Sequence, residues 1–435
     1  MARIKSAISN RIYYLKKLLP TNAGLFMTEG IVCTLALSFS TTNNYLFLTR
    51  MGASDYQLSL VQFAPQTMNM LLLLPGGIVA DSLSNKKRMV VFSLIMASAF
   101  YTAVSFSPFL GGAGRIWFIL MYSLAAGMIT LYGVSWQSFF PEVVPVNERN
   151  RTLTLRQTWR LVPAILVPVA TGLILTSLDG IEAKITAHSS FYVIAAVIII
   201  FQIFIFNKVK PSKPAPPMGV SLGNLKKAAA LLIKNKKFLV FCATILVFYM
   251  AFHLDWTYYF IGQTRYLGMN ETLLALTFVL EALAQFFTMR FWGRMNEKYG
   301  VTLPLFFGML LIVLFSPAMI VATKIASPFN LYAFFAIYTA GSMGIATVTL
   351  NVFQCLLQVL QEEYKTVCIS IFTVLTSLSN AVMPFVGVLI YNKLGADLRA
   401  LHLTSWIVFA ARIFAALLWL LRWFMTEKKT MKRAA

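Results

Sequence analysis

Gly77-Ile78-Val79-Ala80-Asp81-Ser82-Leu83-Ser84-Asn85-Lys86-Lys87-Arg88 is a short charged stretch between two long apolar runs. Apolar runs of about 20 residues are long enough to cross a bilayer as helices, so the stretch between them reads as a tight turn at a membrane surface. The second half of the chain repeats it as Gly293-Arg294-Met295-Asn296-Glu297-Lys298-Tyr299-Gly300, again between apolar runs. Gly77 and Gly293 lie 216 residues apart, as do Asp81 and Glu297 and as do Pro168 and Pro384; Glu148 and Glu363 lie 215 apart. A 435-residue chain that echoes itself at about half its length reads as two copies of one module.

Composition sets the solvent. Hydrophobic residues make up 58% and charged ones 12%, against about 25% charged in an ordinary soluble domain. No soluble core could hide that much apolar surface, so lipid is the expected surroundings. The formal net charge of +22 raises nucleic acid as a partner, but the placement of the charges excludes it. Of the 37 Lys and Arg, 29 fall at the N-terminus, the even loops, the centre and the C-terminus, while seven fall in the odd loops. That asymmetry follows the positive-inside rule with both termini cytoplasmic, and the basic rim suits an anionic inner leaflet. Residues 1–20 are basic and amphipathic without a continuous apolar stretch, which reads as a cytoplasmic lead-in. Cys33, Cys242, Cys355 and Cys368 sit in apolar segments without metal-ligand spacing. They read as small core residues, and no metal or cofactor is expected.

Twelve stretches qualify as spans: 24–48, 57–80, 89–109, 116–139, 157–178, 190–207, 238–261, 272–292, 303–323, 329–357, 367–391 and 403–424. Most loops are short, so neighbouring helices are expected antiparallel. The exception is 208–237, Pro-rich and then basic, with eight lysines and no acid. The expected organisation is a six-helix bundle over 1–207, a cytoplasmic linker over 208–237 and a second six-helix bundle over 238–435.

The loop pattern resembles that of the major facilitator superfamily (MFS), which reads roughly G-x-x-x-D-x-x-G-R-K/R between the second and third helices, with a weaker copy between the eighth and ninth. Gly77, Asp81, Lys86 and Lys87 match it; Ser84 and Asn85 depart from it. The second copy keeps Gly293 and Gly300 and has Glu297 for the aspartate. The resemblance covers nearly the whole chain and is closest in texture to bacterial members. It implies an all-α membrane protein of two pseudo-symmetric bundles, with these loop residues gating the cytoplasmic side. Gly77 and Gly293 are expected to be small because helices pass closely there. Drug–proton antiporters of the family carry G-P-x-x-G-G in the fifth helix. Here Val167-Pro168-Val169-Ala170-Thr171-Gly172 keeps the proline and one glycine, and Ser123 stands where those antiporters have an arginine.

Polar residues inside the spans are the candidate substrate contacts. Ser38 and Thr42 lie in the first span, and Gln62, Gln66 and Asn69 in the second at spacings of four and three, on one helix face. Gln137 occupies the fourth span, Asn351 and Gln354 the tenth, and Asn380 the eleventh. Each set either lines a watery cavity or makes interhelical hydrogen bonds worth about 0.6–1.7 kcal/mol apiece. Intramembrane charges are rarer and costlier. At 1.5 Å per residue, Glu281 lies about 15 Å into the eighth span and Arg412 about 14 Å into the twelfth. The two read either as a buried ion pair or as a protonatable carboxylate with a guanidinium setting its affinity. Glu29, about 8 Å into the first span, is the further coupling candidate. Asp255 reads as an exposed acid in an outer aromatic belt, and Arg156 and Arg160 as a snorkelling pair at the interface.

No catalytic constellation is present in the sequence: no Ser-His-acid spacing, no phosphate loop and only three histidines. The reading is a secondary transporter in the cytoplasmic membrane, expected as a monomer. It moves a small solute on a gradient of protons or Na+, with proton-coupled export of an amphiphilic compound first and nutrient uptake by symport second. A non-transporting receptor or scaffold of the same shape is a third reading, which long soluble sensing domains would favour.

Overall fold

The computed structural model describes residues 20–82, 86–210, 230, 232–359 and 365–425. Ser84 and Asn85 of the first loop motif, most of the 208–237 linker and residues 1–19 lie outside them. So do the side chains of Gly77, Asp81 and Gln137.

Described residues form helices and short turns. In chain order they are α1 (Asn22–Thr41), α2 (Asn44–Arg50), α3 (Asp55–Ser82), α4 (Lys86–Ser105), α5 (Gly114–Val143), α6 (Val146–Ser177), α7 (Ile181–Asn207), α8 (Lys236–His253) and α9 (Trp256–Ile261). There follow α10 (Glu271–Tyr299), α11 (Thr302–Ile312), α12 (Phe315–Ala322), α13 (Phe329–Val359), α14 (Lys365–Lys393) and α15 (Leu398–Met425). Eleven described segments are long and apolar enough to cross a membrane, and α3 covers the remaining expected span. Sequence-based ends fall short where polar turns continue a helix: the fifth span begins at Val146 and the sixth at Ile181. The side chains of Thr21, Asn235 and Asn270 accept from backbone N–H groups three residues on, satisfying donors that helix starts leave open. Gly300 ends α10 at φ 74°, which glycine adopts without a Cβ clash.

Phe287 (74% exposed), Phe286, Phe201 and Phe204 project from the helices. In water such a surface would aggregate; in hydrocarbon it is already in its solvent.

Two compact units emerge, one of residues Met1–Gly52 and Met68–Val220, the other of Ala53–Thr67 and Ser221–Ala435. The first part of α3 thus groups with the second unit and its remainder with the first. The first unit packs Phe26, Trp136, Phe140 and Phe206 edge-on and stacked. In the second, Gly308 and Gly344 let α11 and α13 touch backbone to backbone: a Cβ on Gly344 would run into the Gly308 carbonyl.

A repeated irregularity marks both units. The first span breaks at Thr42–Asn43, between α1 and α2. The Asn43 amide there donates to Thr171 Oγ1 at 3.0 Å, and Thr171 bonds back to the Pro168 carbonyl. The seventh span breaks at Leu254–Asp255, between α8 and α9. There Gly387, three residues after Pro384, leaves room for the Leu254 carbonyl, which a Cβ would strike. Pro168 and Thr171 correspond to Pro384 and Gly387 at the same 216-residue offset. In each unit, then, an interrupted helix leans on a proline-bearing one.

Candidate functional site

A helix break frees backbone carbonyls, and inside a membrane each needs a donor. At the seventh-span break the donor is Arg412 of α15. Its Nη2 lies 3.0 Å from the Phe252 carbonyl and 2.6 Å from Asp255 Oδ1. Both side chains are buried, Arg412 at 1% exposure and Asp255 at 3%, and the guanidinium faces the Phe252 and Phe315 rings at 5.7 and 5.8 Å. Arg412 is therefore the partner of Asp255 and not of Glu281. Asp255 is likewise no exposed acid of an aromatic belt. Glu281 and Arg412 lie at similar counted depth, but the rotation of α15 about its axis turns Arg412 toward the break and Asp255.

Glu281, ten residues into α10, is half-buried and held by neutral donors. Tyr338 Oη donates to Oε2 at 3.0 Å and Gln285 Nε2 to Oε1 at 3.2 Å. Tyr338 stacks on Phe315, the ring that Arg412 faces, so the carboxylate and the ion pair share one aromatic wall without touching.

The first unit holds a third buried charge. Glu29 is fully enclosed on α1. It accepts from Tyr132 Oη, from Gln202 Nε2 at 2.8 Å and from Arg156 Nε at 3.2 Å. The Arg156 guanidinium lies 4.1 Å from the Trp136 ring centre, and Gly30 gives its stem room, since a Cβ there would sit 2.5 Å from Arg156 Cγ. Arg160 Nε donates to Thr34 at 2.6 Å. Arg156 is thus no snorkelling interface residue: the shared face with Arg160 is turned inward, onto α1. Tyr132 and Gln202 escaped sequence reading. Gln202 had a signal, as a lone amide in the apolar run Phe191–Phe206, where an unpartnered polar side chain would be costly.

The amide candidates divide. Gln62 Nε2 donates to Asn380 Oδ1 at 2.8 Å, joining two of them within the second unit. Asn69 accepts from Thr130 at 2.7 Å. Asn351 is fully buried in a two-bond clasp with Asn296, 2.7 Å each way, while Gln354 is exposed. Ser38 is buried, Gln66 half-buried, and the Thr42 hydroxyl bonds back to the Ser38 carbonyl at 2.7 Å. Of the loop-motif residues, Lys87 Nζ caps the end of α7, 2.7 Å from the Asn207 carbonyl and 3.1 Å from that of Val209. Glu297 is exposed, and a Cβ on Gly293 would meet none of the described residues within 4 Å, so no close helix passage appears there among them. An apolar recess of about 640 Å³ opens between α10, α11 and α13, walled by Phe291, Trp292, Phe307, Leu310 and Leu314.

Spans of this length in a repeated pair, with their few charges paired or hydrogen-bonded inside the bundles, define a multi-pass α-helical membrane protein with no catalytic apparatus among its described residues. The chain belongs to the Major Facilitator Superfamily, whose sequence model matches residues 26–384. It is a secondary transporter rather than an enzyme.

Solved structures of similar fold include a bacterial homologue of the iron transporter ferroportin in an inward-facing state. It has a TM-score of 0.72 at 10% identity, over 92% of this chain and 98% of that one. A bacterial homologue of the human lysosomal transporter Spinster has a TM-score of 0.70 at 12% identity, over 93% and 97%. A D-xylose–proton symporter has a TM-score of 0.66 at 13%, over 94% and 97%. At such identities the likeness is one of fold. No curated protein matches the chain in sequence.

Proposed function

We propose that the protein exports a small amphiphilic compound across the cytoplasmic membrane by alternating access of the bundles 1–207 and 238–435, driven by protons, with Glu281 as the proton-carrying group. The carrying observation is the contrast among three described intramembrane carboxylates. Glu29 and Asp255 are each fixed to an arginine. Glu281 is held by a tyrosine and a glutamine, and no described basic side chain lies within ion-pair distance of it. Glu281 is therefore the one of the three whose charge is not committed to a fixed ion pair, which suits a group that must exchange a proton with entering water. Arg412, committed to Asp255, enters this scheme as a structural charge. An amphiphilic substrate suits the mixture of amides and rings on the spans, where the Gln62–Asn380 pair lies among Tyr56, Phe63 and Phe385.

The test is Glu281→Gln in proteoliposomes under an imposed pH gradient, assayed with amphiphilic fluorescent dyes. Gradient-driven transport should vanish while dye exchange persists. If gradient-driven transport survives, the proton is carried elsewhere and Glu29 becomes the group to test. Replacing the pH gradient by a Na+ gradient separates the two ions, and the direction of dye movement separates export from uptake.

A further inference from the structure

α10 and α11 each pack along α13 and touch one another far less, so the apolar recess between them is a groove with α13 as its floor. Its α10 wall is Thr288, Phe291, Trp292 and Met295, spaced three and four apart on one helix face. Phe307, Leu310 and Leu311 of α11, with Leu314 beyond it, form the other wall, and Met343 of α13 lies between. The polar side-chain atoms on these walls are already bonded. Thr288 Oγ1 donates to the Ala284 carbonyl at 2.6 Å and Trp292 Nε1 to the Met343 carbonyl at 2.9 Å. Whatever enters must be apolar along its inserted length, since a buried polar group without a partner is costly.

The groove belongs to one half of the chain. At the 216-residue offset, Trp292 and Met343 correspond to Gly76 and Gly127. In the first unit those glycines let the matching helices close: a Cβ on Gly76 would lie 2.5 Å from Leu131 Cδ1, and one on Gly127 2.6 Å from Met68 Cγ. In the second unit an indole and a thioether stand at those places and hold α10 off α13. Cations edge one end of the groove. Arg294 and Lys298 follow Phe291 and Met295 by three residues each, so they share the groove's side of α10, and both are exposed. Arg290 and Glu297, two residues on from Thr288 and Met295, lie on the other side of the helix. Counted back from Gly300, the α10 wall lies about 8–18 Å from the helix end and the two cations within about 9 Å of it. The hydrocarbon of one leaflet, half of a core about 30 Å thick, has that depth.

We propose that this groove binds an acyl chain of an anionic phospholipid, whose headgroup phosphate is met by Arg294 and Lys298 at the end of α10. Two exposed cations at the mouth of a dry apolar slot complement a molecule that carries negative charge on a long hydrocarbon tail. By the charge asymmetry of the loops that end is the cytoplasmic one, and the lipid then comes from the anionic inner leaflet. The site does not depend on the solute, the coupling ion or the direction of transport.

The probe is phosphatidylglycerol with a photoreactive diazirine midway along one acyl chain, a minor component of phosphatidylcholine vesicles that hold the reconstituted protein. After illumination, peptide mapping by mass spectrometry should find adducts on Phe291–Met295 and Phe307–Leu314. They should exceed those from the same label on phosphatidylcholine by about fivefold or more. Leu310→Trp, which fills the slot from an exposed position, should remove these adducts. Arg294→Ala/Lys298→Ala should keep adducts but erase the headgroup preference, and Arg290→Ala should change neither. Adducts around the exposed Leu166 of α6 report the ordinary lipid shell and should match in every variant. A melting curve checks folding, and Phe307→Trp serves where Leu310→Trp fails to fold. Equal labelling by the two lipids in the unaltered protein, or adducts that survive a filled slot, overturns the proposal. So does displacement of the probe from these peptides by a transported amphiphilic dye, which makes the groove a solute site.

Discussion

Arg156→Met removes the described ion-pair partner of a buried carboxylate, Glu29, while keeping an apolar stem of similar length. The replaced guanidinium supplies the 3.2 Å contact to Glu29, a 3.3 Å contact from Nη2 to Tyr132 Oη, and the face packed 4.1 Å from the centre of Trp136. Deleting one partner of a buried ion pair costs about 3–5 kcal/mol, because the other is left charged and dry. The lost cation–π contact adds about 0.5–2 kcal/mol. The lower sum alone reduces the folded-to-unfolded ratio by more than about a hundredfold. Glu29→Gln/Arg156→Met should recover much of this loss, since a neutral amide in place of the carboxylate needs no counter-charge and still meets Tyr132 and Gln202. The assay is thermal unfolding in detergent with a thiol-reactive dye, for which Cys33, buried one turn from Glu29, is a natural reporter. The single variant should melt well below wild type and the double between the two. A single variant that melts with the wild type, or a double that melts no higher than the single, refutes the account of a charge-balanced cluster.

Arg412→Met should destabilise by a similar amount, about 3–5 kcal/mol in the same assay, and Asp255→Asn/Arg412→Met should be milder than Arg412→Met alone. Gly344→Leu should drive α11 and α13 apart at the Gly308 carbonyl and sharply lower the yield of folded protein on size-exclusion chromatography. Gly387→Val should do the same at the Leu254 carbonyl. Gly293→Ala, with no described neighbour within 4 Å, should leave melting unchanged within about 0.5 kcal/mol.

Apolar runs, charge asymmetry and the 216-residue echo made the helical membrane fold and its family legible, because each is written in residues that must face lipid or water. The charge pairings were less so. Distance along a helix follows from counting, but whether Arg412 turns toward Glu281 or Asp255 depends on how α15 is rotated, which no single helix records. The break at Leu254–Asp255 has no glycine or proline of its own to announce it. Its cause lies in α14, where Gly387 gives the Leu254 carbonyl room, and in α15, where Arg412 takes the Phe252 carbonyl. Glu29 was visible as a charge that needed company, and Gln202 as an amide that needed the same. Only the packing of α1, α5, α6 and α7 brought them together.

The two interrupted spans are levers of unequal arm. Beyond its break the first span continues through Asn44–Arg50, seven residues or about 10 Å. Beyond its break the seventh continues through Trp256–Ile261 and Gly262–Tyr266, 11 residues together and about 16 Å. For the same angular swing the seventh-span tip travels about 1.6 times as far, in proportion to these lengths. That tip carries Arg265, whose Nη2 lies 3.0 Å from Asp55 Oδ1. A rotation of about 10° at Leu254–Asp255 moves it by about 3 Å, the length of one hydrogen bond and enough to part Arg265 from Asp55. The shorter arm moves under about 2 Å for the same turn, within the give of an ordinary hydrogen-bonded contact. Each half of the chain carries one such break, and the four extra residues after the second give it the longer arm.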